Sequence, residues 1–443
     1  MIDFVPYYRA VAKSNPVEVT GKISRVTGLL MEGTGPHTAL GGLCEIEPQG
    51  AGSPVPAEVV GFRDRKILLM PYNDSKGIGP GDRIRVVESV GMVAVGEGLL
   101  GRIIGGFGEP LDGQGEIAVP HEAPLYGEPL NPLERDRIKE PLDLGIRALN
   151  GVLTCGKGQR LGILAGSGVG KSILLGMIAR YTRADINVIA LIGERGREVR
   201  EFIEKDLGPE GLARSVVVAV TSDQSPLLRI RAAYVATAVA EYFRDQGRSV
   251  NLMMDSVTRF AMAQREIGLA IGEPPTTKGY TPSVFALLPK LLERAGTGQG
   301  PGSITGLYTV LVEGDDMNEP IADATRAILD GHIVLSRKLA AQDHYPAIDI
   351  LNSKSRVMID IVTEDHRKDA NRLIAALATY KDAEDLINIG AYAQGSSGEI
   401  DAAISRYPAI QAYLKQEIGE QVSLSQSVAA LKSIFAETKA MEQ

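Results

Sequence analysis

Ala165-Gly166-Ser167-Gly168-Val169-Gly170-Lys171-Ser172 sits between an apolar run, Leu161 to Leu164, and a second one opening at Ile173. Strand, glycine-rich loop and helix in that order make a phosphate cradle. The glycines let several backbone N–H groups converge on phosphate oxygens, and the helix N-terminus adds to their pull. Lys171 is then placed to reach the β- and γ-phosphates of ATP, and the Ser172 hydroxyl to hold Mg2+. Gly166, Ser167, Gly168, Val169, Gly170, Lys171 and Ser172 form the expected nucleotide-binding set. The strict pattern begins with Gly, so Ala165 must keep a negative φ.

Binding alone is not hydrolysis. The run Val250-Asn251-Leu252-Met253-Met254-Asp255 reads as a buried strand ending in a carboxylate, the Walker B arrangement that orients Mg2+ or its water. Apolar runs ending in Asp are common and Asp255 could instead cap the following helix, but its place some eighty residues after the P-loop, with a strand between, favours the Walker B reading. Glu194, in Ile192-Gly193-Glu194-Arg195-Gly196-Arg197-Glu198, also follows a buried strand, where a base polarising the attacking water belongs. Arg195 could tether that carboxylate or sense the phosphate. A solvated charged loop accounts for the same spacing equally well.

These residues need a scaffold that brings strand ends together. Apolar runs at Leu161–Leu164, Val188–Ile192, Val216–Val220, Val250–Met254, Ile304–Val312 and Ile333–Leu335 alternate with helical patterns, which predicts a largely parallel sheet covered by helices. Before it, Val17/Val19, Ile23/Val26, Val59/Val60, Ile67–Met70 and Ile84–Val87 are short strands at close spacing. Turn chemistry at 33–36, 50–54 and 79–82 separates them, and a small β-barrel is expected. Beyond Glu364 the pattern is helical, broken at Gly390 and Gly395–Gly398. Phe4, Tyr8 and Val11 fit one face of a short helix as well as a frayed tail. The fold class is thus α/β, a P-loop core with an N-terminal barrel over 1–92, the core over 93–363 and a helical domain over 364–443.

The composition suits an ordinary globular protein, with 44% hydrophobic and 23% charged residues among 443. A net charge of −8, 5% aromatics and no Trp argue against nucleic acid as the main partner. Cys44 and Cys155 are far apart, which suits a reducing compartment and no cysteine metal site. Neither a signal peptide nor a membrane-spanning apolar run is evident.

Leu191–Glu198, the P-loop and Met253–Phe260 together resemble the catalytic subunits of rotary ATP synthases and vacuolar ATPases. Gly166–Tyr181, Gly193–Glu201, Glu273–Gly296, Gly314–Leu335 and Asp382–Ala403 are similar to the ATPases of type III export, the flagellar form above all. The likeness implies a RecA-like core, Glu194 as catalytic base and Asp255 as the Walker B carboxylate. It places Tyr345 against adenine and makes Arg356, at the end of Ser353-Lys354-Ser355-Arg356, an arginine finger reaching a neighbouring subunit. Without the family, Arg356 reads as a surface arginine paired with Asp349 or Asp360. One chain carrying both Glu194 and Arg356 implies a homohexameric ring. Further implied partners are a stator-like regulator, a central stalk, export substrates with their chaperones, and an export gate. The implied location is the cytoplasm, at the inner face of the cytoplasmic membrane. An injectisome ATPase shares these motifs, and an RNA-translocating RecA ring is an alternative of a different class, against which the acidic charge and scarce aromatics speak.

Overall fold

The computed structural model of the chain describes residues 4, 19–50, 52–88 and 91–436. Two compact units result, one containing the barrel and the other most of the chain from Met92 onward. Tyr8, Val11 and Val17 lie outside the described residues.

Six strands close the barrel: β1 (Gly21–Thr27), β2 (Leu30–Thr34), β3 (Leu43–Glu47), β4 (Val55–Arg63), β5 (Lys66–Pro71) and β6 (Arg83–Glu88). They are ordered β1-β2-β5-β4-β3-β6. Alternation sends Ile23, Met31, Ile46, Val59, Leu69 and Ile84 into the interior. Gly33 and Thr34, expected in a turn, instead complete β2. A Cβ at Gly33 would collide with Ile84, so this glycine makes room inside the barrel rather than bending the chain.

The second unit is built on a nine-stranded sheet. Its strands are β7 (Ile103–Ile104), β8 (Arg160–Ala165), β9 (Ile186–Glu194), β10 (Ser215–Thr221), β11 (Ser249–Asp255), β12 (Gly296–Thr297), β13 (Ser303–Leu311), β14 (Gly331–Leu335) and β15 (Ile348–Ser355). The order is β15-β14-β8-β13-β11-β9-β10-β7, with β12 paired to β13. All pairings are parallel except those of β12 and β15. The six expected core strands are therefore present. Their near-continuous Val, Ile, Leu and Ala runs suit burial on both faces. The added edge strand β15 reads Ile-Asp-Ile-Leu-Asn-Ser-Lys-Ser, too polar to signal a strand by composition.

Helix α1 (Arg147–Val152) and helix α2 (Lys171–Tyr181) flank β8 in sequence. The described residues end in three helices: α3 (Glu364–Asn388), α4 (Gly398–Leu414) and α5 (Leu424–Ala436). Thr363 and Ser397 cap α3 and α4 by accepting the N–H of His366 and of Ile400. Gly390 and Gly395, both at positive φ, turn the chain between those two helices. Leu373, Ile410, Leu431 and Phe435 share one apolar core with Leu149, Leu161 and Leu174. The terminal helices thus pack directly on the layer that carries the loop after β8.

Candidate nucleotide site

The loop between β8 and α2 has the geometry a phosphate requires. Gly168 and Gly170 adopt φ of 78° and 85°, a region that penalises any side chain. Gly170 is the N-cap of α2 and offers no side-chain acceptor, so the first-turn N–H groups have no side-chain cap. Val169 points into the core and anchors the loop, while Ser167 and Ser172 are exposed. Ala165 ends β8, buried, and is absent from the positive-φ positions, as its side chain demands. A Cβ on Gly166 would come within 2.8 Å of both Arg337 Nη2 and Asp315 Oδ1, so a larger residue there would push that exposed ion pair aside.

Three chemically active side chains converge beside the loop. Strands β9 and β11 are neighbours, with Leu191 opposite Asp255, so Glu194 and Asp255 emerge at the same sheet end. The Lys171 ammonium is paired with Asp255 and lies 3.9 Å from Glu194 Oε1. Thr309 Oγ1 donates to Asp255 Oδ1 at 2.8 Å from the adjacent β13, which fixes the carboxylate's rotamer. A register shift between Ile192 and Glu194, with Gly193 at φ 67°, turns Glu194 out of the strand alternation. Burial, seconded by the Asp255 charge, pushes Glu194 up to about 7, against the pull of Lys171. Glu194 Oε1 is buried without a hydrogen-bond partner. A carboxyl held near neutrality with an unsatisfied oxygen is suited to accept a proton or orient a water.

Tyr345 and Arg356 lie just beyond the opposite ends of β15. The register runs from Leu335 opposite Ile348 to Gly331 opposite Ser355, and Ala165 is opposite Leu335 on the other side of β14. The Tyr345 end of β15 therefore lies at the phosphate loop. There the ring sits over Gly170, with Cε1 and Cδ1 3.2 and 3.3 Å from where that glycine's Cβ would be. It is 39% exposed, leaving part of its surface open to a stacking partner. Arg356 lies at the far end, about 16 Å away by the strand rise over β8, and cannot serve its own loop. Its Nη2 donates to the Arg326 carbonyl at 3.3 Å. No carboxylate pairs with it among the described residues, and Asp349 binds Asn352 instead.

Arg195 follows the charged-loop reading and not the tether to Glu194. Its side chain is 73% exposed and pairs with Glu198 at 2.9 Å, not with Glu194. The three-residue spacing on a helical turn explains the preference, since it brings those two side chains together. Thr309, Arg259 and Arg337 were not signalled by any motif. Arg259 follows Asp255 by four residues, beneath Gly193, and its charge acts on Glu194.

Family models match in three blocks. Residues 145–355 match the nucleotide-binding domain of the ATP synthase alpha/beta family, and residues 23–87 that family's beta-barrel domain. Residues 362–433 match the T3SS EscN ATPase C-terminal domain. The flagellum-specific ATP synthase of Bacillus subtilis is 58% identical over 417 residues, 94% of each chain.

The chain belongs to the ATP synthase alpha/beta family, among its flagellar and type III export ATPases.

Other members of the family lie close as well. The flagellum-specific ATP synthase of Salmonella typhimurium is 52% identical, covering 94% of this chain and 93% of its own. The type 3 secretion system ATPase of Xanthomonas euvesicatoria is 51% identical with the same coverage. Among solved structures, the assembled ATPase EscN from enteropathogenic E. coli superposes with a TM-score of 0.88 at 45% identity, over 94% of this chain and all of that one. EscN in complex with its central stalk EscO matches at 0.87. Family members share the barrel, the P-loop sheet and the helical C-terminus seen here. Among the described residues no helix is long and apolar enough to cross a membrane.

Proposed function

We propose that this chain hydrolyses Mg-ATP in a homohexameric ring and thereby energises flagellar type III export at the inner face of the cytoplasmic membrane. The observation that carries the catalytic part is the convergence of Lys171, Asp255 and the raised, unsatisfied Glu194 at one sheet end. Lys171 and the loop N–H groups bind the β- and γ-phosphates, and the Tyr345 ring supports the adenine. Glu194 takes up the attacking water's proton or orients that water toward the γ-phosphorus. Arg356 of one subunit completes the site of its neighbour, where it stabilises charge on the transferred phosphoryl oxygens.

The hydroxyl of Ser172 and the carboxylate of Asp255 fit a hard cation that prefers oxygen donors. Among the described residues no cluster of three or more His, Cys, Asp or Glu could hold a metal. A cation here leans on substrate phosphates, as Mg2+ does. When bound, it neutralises phosphate charge.

Flagellar export is favoured over an injectisome by the 58% identity to the Bacillus subtilis protein, against 51% to the Xanthomonas secretion ATPase. The ring is supported by the assembled EscN relative, and a stalk partner by EscN in complex with EscO. A stator-like regulator, export chaperones with their substrates, and an export gate complete the proposed machinery.

Co-assembly tests the catalytic reading. Glu194→Gln is expected to lower turnover by ~10²–10⁴, and Arg356→Ala by ~10³–10⁵. Mixed together, the two regain activity, because one class of interface joins an intact Glu194 to a neighbour's intact Arg356. Absence of recovery at every mixing ratio refutes action across the interface.

A further inference from the structure

The guanidinium of Arg356 is exposed and carries no carboxylate partner among the described residues, yet the backbone beneath it is firmly tied. The Arg356 N–H donates to the carbonyl of Asp330 at 3.0 Å. The Asp330 carboxylate, on its other side, is held by Arg160. Oδ2 accepts the Arg160 backbone N–H and Nε, each at 3.0 Å, and Oδ1 accepts Nη2 at 3.1 Å. Arg160 is itself only 14% exposed and also pairs with Glu293. Gln159 Nε2 bridges the Asp330 carbonyl and Ser355 Oγ, both at 3.1 Å, and Ser355 Oγ donates to the Thr154 carbonyl at 2.8 Å.

The web holds the backbone beneath Arg356 from two sides. A side chain that must meet a phosphoryl group on another polypeptide cannot have its tip locked in an ion pair of its own subunit, and the Arg356 tip has only the 3.3 Å bond to the Arg326 carbonyl among the described residues. Its root can be restrained. A misplacement of about 1 Å costs on the order of 10²-fold in rate for a positioned group. A forked arginine–carboxylate pair fixes direction as well as distance. We infer that Asp330, clamped by Arg160, is a positioning residue for the arginine finger that each subunit offers its neighbour. This rests on the proposed action of Arg356 across the interface.

The test uses the full-length chain with Asp330→Asn, which keeps the shape and loses the charged fork. Turnover is expected to fall ~10- to 100-fold, while KM for ATP and the Kd for Mg-ADP stay at wild-type values. The subunit's own phosphate loop lies at the other end of β8, so its binding is untouched. Co-assembly then assigns the effect to an interface. D330N mixed with K171A is expected to exceed the sum of the two parents severalfold. An intact phosphate loop on the D330N subunit then meets a correctly held Arg356 on the K171A subunit. R356A mixed with K171A is the reference pair.

Recovery in both mixtures supports the inference. Recovery in the reference alone overturns it, since Asp330 then acts inside its own subunit. Failure of the reference pair overturns the reading of Arg356 and the inference with it. Wild-type turnover in D330N also overturns it. Should D330N not fold, Arg160→Lys removes the fork while retaining the charge and is expected to show the same pattern. Wild-type turnover in R160K overturns the inference equally.

Discussion

Replacing Tyr345 with Ala removes the ring that lies over Gly170 while leaving Lys171, Asp255 and Glu194 in place. The ring is 39% exposed, so part of its surface is available to a base and the rest packs on the loop. Base–aromatic stacking is worth about 1–3 kcal/mol by alanine substitution. At 1.4 kcal/mol per decade this weakens nucleotide binding about 5- to 150-fold. The phosphate machinery is untouched, so KM for ATP and Kd for Mg-ADP rise together and kcat holds within a few-fold. Tyr345→Phe keeps the ring and is expected to behave as wild type, because the stack does not need the hydroxyl. Steady-state kinetics and calorimetric titration of each full-length variant with Mg-ADP measure both quantities. Unchanged KM and Kd in Y345A refute the adenine assignment. So does a loss of kcat without a loss of affinity, which would place the ring in the chemical step.

Gly170→Ala tests the same contact from below. An Ala at φ 85° costs about 1–2 kcal/mol and its Cβ would crowd the Tyr345 ring at 3.2 Å, so nucleotide affinity is expected to fall. In a Y345A background the crowding is relieved and only the backbone cost remains, so a double-mutant cycle on KM should show a smaller effect of Gly170→Ala there; full additivity removes any coupling between the ring and the loop. His366 gives a pH prediction. It is buried with Nε2–H donating to the Gly151 carbonyl at 2.8 Å, and burial lowers it below its usual 6.5, against weaker pulls from that bond and from Asp369. A group depressed in the folded state takes up its proton more readily when unfolded, so its contribution is complete above about 6.5 and declines as pH falls through that value. Glu194, raised by burial, titrates in the opposite sense, so the comparison must be between variants. His366→Gln is expected to flatten the acid side of the Tm–pH profile relative to wild type; an identical profile assigns the acid sensitivity elsewhere.

The phosphate loop was legible because its chemistry and its flanking apolar runs are contiguous in sequence. Glu194 and Asp255 were legible as carboxylates at the ends of buried strands, but their meeting depended on β9 lying beside β11, which no local pattern states. Thr309 shows the limit most clearly. A threonine in a buried strand is an ordinary residue until β13 places its hydroxyl against Asp255. For Arg195 the sequence left a tether to Glu194, a phosphate contact and a solvated charged loop all open, because charged loops carry many compatible pairings; helical spacing pairs it with Glu198. In the barrel, Gly33 read as a turn signal, whereas the structure uses its missing side chain as interior space. Strand β15 escaped because its polar composition suits an edge, and the roles proposed for Tyr345 and Arg356 beside it came only from family likeness.

The placing of Tyr345 and Arg356 just beyond the two ends of β15 has a consequence for control. On the proposed reading, every chain owns two half-sites and no whole one. A row of subunits with free ends always has one site fewer than it has members, and only closure makes the numbers equal. Dilution then silences the enzyme faster than it separates chains, and catalytic rate rises more steeply than concentration. Any protein that slips between two neighbours becomes an inhibitor without resembling ATP. Assembly itself is the switch.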